Sequence, residues 1–354
     1  MPEPLKLKDL KLRMQAYGVR PSKKFGQNFL ADFNMLRAIV ADAEVNAGDC
    51  VLEVGTGAGS LTGFLCDAAG FVVSVEIDRG MFELARDSLE GCTNLLQLRA
   101  DALARSGLNR QVEDVLHAVL AGRPPEAAQA EATKPPSPPP RGLKLKLVAN
   151  LPYSVATAVL FALLHSDLPF ERMVVMVQLE VAEKLAARPG SRHWGLPSLL
   201  LSRLAQTRLL RRVPAKVFWP KPKVDSALLE LRPAAELDRA AYGRLRALAH
   251  VLFQRRRKTA ANALALALGV EAATAAAWIA QAGGDPGARP EDLAPDVLAA
   301  LADHPDLQPL VARAHKRDAG QVLAKAEKQA RRAAWRKRVY NGRASLHGDE
   351  VSDE

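Results

Sequence analysis

Apolar residues along this chain follow two periods. Short unbroken apolar runs near 50–54, 71–75, 95–98, 145–149, 173–178 and 226–231 are bounded by glycine, proline or polar residues. They read as strands covered on both faces, with helical segments between them. Ahead of the first run, Phe33, Leu36, Ile39, Val40 and Ala43 recur at helical spacing, with Asp32 or Asn34 available as a cap. An α/β alternation therefore occupies about 48–232. From Leu237 onward the pattern is helical, alanine-rich and free of strand runs, which predicts a smaller all-α domain to about 310. Residues 1–20 form a mixed-charge lead. The stretch 122–141 holds seven prolines among alanines and glutamates and is too poor in large apolar groups to pack, so it is expected to be a disordered surface insertion.

Composition narrows the class. A chain of 354 residues that is 48% hydrophobic can bury a substantial core, and its length suggests two domains with additions. The net charge of +10 points to a polyanionic partner. Cysteines stand only at 50, 66 and 92, without metal-ligand spacing, and the seven histidines are scattered, so neither a disulfide framework nor a metal site is expected. No apolar run reaches membrane-spanning length, and Glu3 and Asp9 argue against a targeting leader; a cytoplasmic location is expected.

The first strand runs into Gly55-Thr56-Gly57-Ala58-Gly59 and then a helical pattern, an arrangement that brings backbone N–H groups close to a ligand. The second strand ends on Glu76, nineteen residues after Gly57, the spacing at which an acid meets a ribose diol. Such a loop serves a dinucleotide or S-adenosylmethionine alike. The G-x-G-x-G spacing and the lack of a second phosphate motif favour the sulfonium cofactor. The third strand delivers Asp101, placed to accept from an adenine amino group.

A fourth element carries the chemistry. The strand ending at Ala149 stops on Asn150-Leu151-Pro152-Tyr153. Proline disfavours a helical Leu151 and removes a backbone donor, so carbonyls are left as acceptors. Two acceptors beside an aromatic face suit the exocyclic amine of a flat base. The same four residues would also serve as a plain strand-ending turn. Such an amine is a poor nucleophile because its lone pair is delocalised; acceptors for its two hydrogens would stabilise charge that grows at nitrogen, an effect worth about 3 kcal/mol. Tyr153 would stack on the base, returning about 1 to 3 kcal/mol of the cost of extruding it.

Seven ordered motifs resemble the ribosomal RNA adenine dimethyltransferase family, most of all its small-subunit (16S) branch, over about residues 18–303. They are 24–30 (Lys-Phe-Gly-Gln-Asn-Phe-Leu), the glycine loop, 75–78, 150–153, 176–182, 213–226, and 253–259 (Phe-Gln-Arg-Arg-Arg-Lys-Thr). The large-subunit branch that confers macrolide resistance generally lacks the Arg-Arg-Arg-Lys-Thr and Pro-Lys-Val-Asp-Ser runs. The resemblance implies a Rossmann-like class I S-adenosylmethionine-dependent methyltransferase domain over 21–235, a helical RNA-binding domain over 236–310, and a basic extension with an acidic end over 311–354. It implies that Asn28 and Leu30 close over the methionine end of the cofactor, that Gly55 and Gly57 face it, and that Glu76 holds the ribose and Asp101 the adenine. Asn150 would border both ligands. Gln27 and Phe29 would flank the target base, and Phe218 would form a second aromatic wall opposite Tyr153. The implied reaction is N6,N6-dimethylation of two adjacent adenosines in a small-subunit rRNA hairpin, on an assembling subunit, by a monomer.

Arg255, Arg256, Arg257 and Lys258 cluster at the end of a helical run, where phosphate binding or interaction with a helix dipole would both use them. Lys23, Lys24, Lys221 and Lys223 are further RNA candidates. Between 313 and 343, eleven Lys or Arg face two acids, a surplus of nine; this stretch could follow RNA phosphates or remain a solvated extension. Two other classes stay open: a non-catalytic assembly or mitochondrial transcription factor on the same fold, and a methyltransferase for DNA or a small molecule. Intact Asn150, Tyr153, Glu76 and Asp101 favour the enzyme, and the helical domain and basic clusters favour RNA.

Overall fold

The computed structural model describes residues 7–21, 27–105, 107–124, 137–153, 155–255 and 257–314. Lys23, Lys24, Arg256, most of the proline-rich stretch and the basic extension beyond 314 lie outside the described residues. Two compact units divide at Leu237/Asp238.

In the first unit the elements run α1 (Leu7–Ala16), β1 (Phe29–Leu30), α2 (Phe33–Asp42), β2 (Asp49–Val54), α3 (Ser60–Ala68), β3 (Phe71–Glu76), α4 (Arg79–Ser88) and β4 (Leu95–Arg99). They continue with β5 (Leu103–Ala104), β6 (Gly107–Leu108), α5 (Arg110–Leu120), β7 (Lys144–Asn150), α6 (Ala156–His165), β8 (Phe170–Gln178), α7 (Leu179–Leu185), α8 (Leu196–Leu204), β9 (Ala205–Val213), β10 (Phe218–Trp219) and β11 (Ser226–Pro233). Local chemistry marks the helix starts. Asp32 accepts from the Met35 N–H at 3.0 Å, Asp78 from Met81 at 3.0 Å, and Asn109 from Gln111 at 2.9 Å, each satisfying an orphan donor of a first turn.

Seven strands form one sheet in the order β4-β3-β2-β7-β8-β11-β9. The pairs from β4 to β8 are parallel, and β11 runs antiparallel to both β8 and β9. Both faces are covered, as parallel strands require. Leu52, Val73, Leu147, Val175 and Leu229 pack on one side with Val115 and Leu160, while Val51, Val72, Val148, Val174 and Leu228 pack on the other with Ile39 and Leu65. The order reverses between β2 and β7, and the crevice outside the carboxyl ends of strands at such a switch point is where open α/β sheets hold ligands.

Two elements differ from the sequence expectation. Residues 7–16 form a helix whose Leu10 and Met14 are buried against Met81 and Leu84. The strand β9 adds an arginine-rich edge that no apolar run announced; Arg211 pairs with Asp42 and Arg208 with Glu230.

The second unit is helical: α9 (Arg239–Phe253), α10 (Ala260–Leu268), α11 (Ala272–Gln281), α12 (Pro295–Ala302) and a closing helical stretch over 307–314. Asp238 caps α9, Thr259 caps α10, and Gly269, in the left-handed region at φ 74°, ends α10.

Candidate active site

A cavity of about 330 Å³ opens at the switch point. Its wall contains Asn28, Leu30, Gly55, Gly57, Glu76, Asp101 and Asn150, all seven residues expected at the cofactor, together with Leu151, Pro152 and Tyr153.

The glycine loop is braced to β3. The Val75 carbonyl accepts from the Gly55 N–H at 2.8 Å, and the Gly57 N–H donates to Glu76 Oε2 at 2.8 Å. The other Glu76 oxygen accepts from the Asp78 N–H at 2.8 Å, so the carboxylate is held at both ends. Burial raises its pKa, opposed by those two backbone donors. Gly55 and Gly57 need to be without side chains: at φ 89° and 56° a side chain is strained, and a Cβ on Gly57 would lie 3.2 Å from the Phe29 ring. A Cβ on Gly55 would meet the Asn150 carbonyl and Pro152 Cδ at 3.8 Å, which puts the loop directly across from the tetrapeptide.

Beneath the loop lies a polar chain that sequence reasoning missed. Thr56 Oγ1 lies 2.6 Å from Ser74 Oγ, whose hydroxyl donates to Glu53 Oε2 at 2.7 Å; Thr62 donates to the same oxygen at 2.6 Å. Since the Ser74 proton goes to Glu53, Thr56 is the donor to Ser74. Glu53 is 1% exposed and lines the cavity, and burial pushes its pKa up to about 8. An acid in the middle of a buried strand, followed nine residues later by a threonine on the next helix, is the signal that points to such a pair. Ile77, 44% exposed although large and apolar, also lines the cavity; its position straight after the strand-end acid is the clue.

At the end of β7 the Asn150 side-chain N–H donates to the Asn28 carbonyl at 3.1 Å, so its Oδ1 is the part left to accept from a ligand. The Leu151 N–H donates to the Met176 carbonyl at 3.1 Å, and the Pro152 carbonyl accepts from Val155 and Ala156 at 3.1 Å, opening α6. Tyr153 is half-buried with its hydroxyl 2.7 Å from Ser226 Oγ, and burial raises its pKa. Asp101 is exposed, and one of its oxygens accepts from the Leu103 N–H at 2.9 Å.

Phe218 is not at the cavity surface. It is 4% exposed, packs in the core with Leu30, Leu36 and Val213, and does not line the cavity. In the ribbon formed by β1 and β10, Phe218 pairs with Leu30 and Trp219 with Phe29; Phe29 and Leu30 both line the cavity, and Phe29 is the aromatic of the two.

Lys221 and Lys223 are exposed just after β10. In the second unit Arg257 and Lys258 are exposed and Arg255 is half-buried, with Nη1 donating to the Val251 carbonyl at 3.4 Å. Among the described residues no group of three or more His, Cys, Asp or Glu could hold a metal, and no helix is long and apolar enough to cross a membrane.

Strand order, glycine loop and switch-point cavity together define a class I methyltransferase-like fold. Residues 19–282 match the family described as ribosomal RNA adenine dimethylase. Among its relatives, the ribosomal RNA small subunit methyltransferase A of Pelotomaculum thermopropionicum is 38% identical over 298 residues, 82% of this chain and 93% of that one. The protein of the same name from Anaeromyxobacter dehalogenans is 41% identical over 292 residues, 81% of this chain and 94% of that one. Among solved structures, the 23S rRNA methyltransferase ErmE aligns at a TM-score of 0.54 and 26% identity, over 78% of this chain and 98% of that one. A dimethyladenosine transferase from Plasmodium falciparum shares the fold at a TM-score of 0.57 and 20% identity, over 77% of this chain and 95% of that one. The chain belongs to the ribosomal RNA adenine dimethylase family.

Proposed function

We propose that this chain transfers methyl groups from S-adenosylmethionine to N6 of two adjacent adenosines in a hairpin near the 3′ end of small-subunit rRNA, acting as a monomer on the assembling subunit in the cytoplasm. The small-subunit assignment is supported by relatives of that name at 38% and 41% identity, against 26% for the large-subunit enzyme. The observation that carries the chemistry is the anchored Asn150 amide, whose Nδ2 donates to the Asn28 carbonyl so that Oδ1 remains as an acceptor in the wall of the cavity.

The cavity suits the cofactor. A volume of about 330 Å³ is in the range of small-molecule sites, the left-handed glycines Gly55 and Gly57 line it, and Glu76, held in place by two backbone donors, stands in its wall. When bound, S-adenosylmethionine supplies an electrophilic methyl on a sulfonium. Asn28 and Leu30 cover its methionine end, Gly55 and Gly57 let the backbone approach, Ile77 offers an apolar wall, and Asp101 accepts from the adenine amine. Asn150 Oδ1 accepts one N6 hydrogen of the target base. The Leu151 carbonyl accepts the other, because the Pro152 carbonyl is already committed to the start of α6. These fixed acceptors would stabilise the positive charge developing on nitrogen, which is relieved when one N6 hydrogen leaves as a proton to solvent, and Tyr153 would hold the ring flat. Lys221, Lys223, Arg255, Arg257 and Lys258, with Lys23, Lys24 and Arg256, supply cations for RNA phosphates.

Transfer of labelled methyl to purified unmethylated small subunits, set beside large subunits and DNA, tests the reading. Small subunits alone should take up label, two methyls on each of two adenosines. Labelling of large subunits or DNA alone would overturn it.

A further inference from the structure

We infer that Trp219 and Lys11 form a stacking subsite at the mouth of the cavity for the nucleotide that flanks the extruded adenosine. This rests on the function proposed above. In the β1/β10 ribbon Phe29 stands opposite Trp219, and the two rings stack with centroids 6.4 Å apart and planes 27° from parallel. Phe29 is itself a cavity wall, lying against Gly57. Trp219 is therefore one ring removed from the place where the target base sits. Phe218 is buried, whereas Trp219 is only partly buried, at the edge of the cluster that contains Leu10 and Met14.

Lys11, on the exposed side of α1, holds its ammonium 5.0 Å from the centre of the indole. Among the described residues no carboxylate pairs with it, so the ring face is the partner that orders it. Lys221 and Lys223 follow two and four residues after Trp219, both exposed. An aromatic ring capped by one lysine, with two exposed lysines two and four residues further along the chain and no carboxylate paired with any of the three among the described residues, has the composition of a single-strand nucleic-acid groove, where bases stack and lysines take phosphates. The arriving base occupies the indole face, and the Lys11 ammonium moves from the ring to the phosphate. Holding the flanking nucleotide there keeps the strand in register while its neighbour is turned into the cavity.

The α1 helix fits the same role. Leu10 and Met14 pack with Phe29, Ala58, Met81 and Leu84, which anchors the helix on the cofactor side and fixes the stem that carries Lys11.

The test uses the full chain with Trp219→Ala, Trp219→Phe and Lys11→Gln. KM and kcat are measured on unmethylated small subunits, cofactor affinity is measured by titration, and indole fluorescence is followed during titration with a short adenosine-rich RNA. Trp219→Ala should raise KM about tenfold, with the effect on KM rather than kcat and cofactor affinity held. Trp219→Phe should recover most of that loss. Lys11→Gln should lower the slope of log affinity against log salt by about one. RNA should quench the fluorescence of the native chain, and Trp219→Phe should lose that quench. An unchanged KM in Trp219→Ala, a quench that survives Trp219→Phe, or loss of cofactor affinity alongside KM would overturn the subsite. Labelling of small subunits by the native chain in the same assay upholds the proposed function whichever way the subsite is decided.

Discussion

Replacing Glu53 by Gln isolates the consequence of keeping a carboxyl under the cofactor loop. Gln matches the side chain in shape and still offers an oxygen to Thr62 and Ser74, but it does not titrate. Glu53 is 1% exposed, and burial raises its pKa from 4.5 to about 8, with the nearby Glu76 charge adding to the rise and the two hydroxyl donors opposing it. In the unfolded chain the same group titrates in the ordinary carboxylate range. Between those two values the folded protein holds a proton that the unfolded chain has released, so stability must fall as pH rises through that window and is complete below it. At about 1.4 kcal/mol for each factor of ten, the full span corresponds to roughly 4 to 5 kcal/mol, an upper figure because relaxation and water entry reduce it. Denaturant unfolding followed by circular dichroism at pH 5, 6, 7 and 8 reads this directly. The native chain should lose stability steadily between pH 5 and 8 relative to Glu53→Gln, and the variant should be the more stable of the two at pH 8. Parallel pH profiles would show that Glu53 is ionised in the folded protein and would refute the reasoning.

Asn150→Ala removes the side-chain acceptor for N6 and should lower kcat on small subunits by about 10² to 10³ while cofactor affinity, read by calorimetry, changes little; wholly lost cofactor binding would assign the residue to the cofactor instead. Gly57→Ala sets a Cβ 3.2 Å from Phe29 at a left-handed backbone position, and should weaken cofactor binding by a factor of ten or more in the same titration. Arg141 packs on Gly122 at the base of the proline-rich stretch, so joining those two ends with a short turn should leave methyl transfer near normal; a dead enzyme would give the stretch a role. Deleting 315–354 should weaken RNA affinity and flatten its salt dependence, and an unchanged slope would make the basic extension a bystander.

The parts of this fold that could be read from the sequence are those where burial is complete. The strands β2, β3, β4, β7, β8 and β11 are covered on both faces, so each carries a largely apolar core run, and the breaks that follow β2, β3 and β7 mark the ligand side. Asn150 to Tyr153 could be located at the strand end because the proline stops the ladder there, and all four residues line the cavity. The edge strand β9 could not be read this way: half of it faces water, and its arginines are satisfied by Asp225 and Glu230 from the neighbouring stretch and by Asp42 from α2. Helix α1 escaped for a related reason, since only Leu10 and Met14 commit it to the core. Phe218 shows a different limit. In a ribbon of two residues the alternation has no length over which to declare its phase, so sequence gave no means of choosing between Phe218 and Trp219 as the outward ring. Glu53 belongs to the same class, because a carboxyl in a buried strand looks like an error until Ser74 and Thr62 are seen on either side of it.

The most direct measurement is a structure of the chain with S-adenosylhomocysteine and an adenosine nucleotide bound together. The target base should lie against Tyr153 with N6 within about 3.2 Å of both Asn150 Oδ1 and the Leu151 carbonyl and facing the cofactor sulfur. A base seated elsewhere, with Asn150 Oδ1 bonded to the cofactor or to protein, would contradict the account.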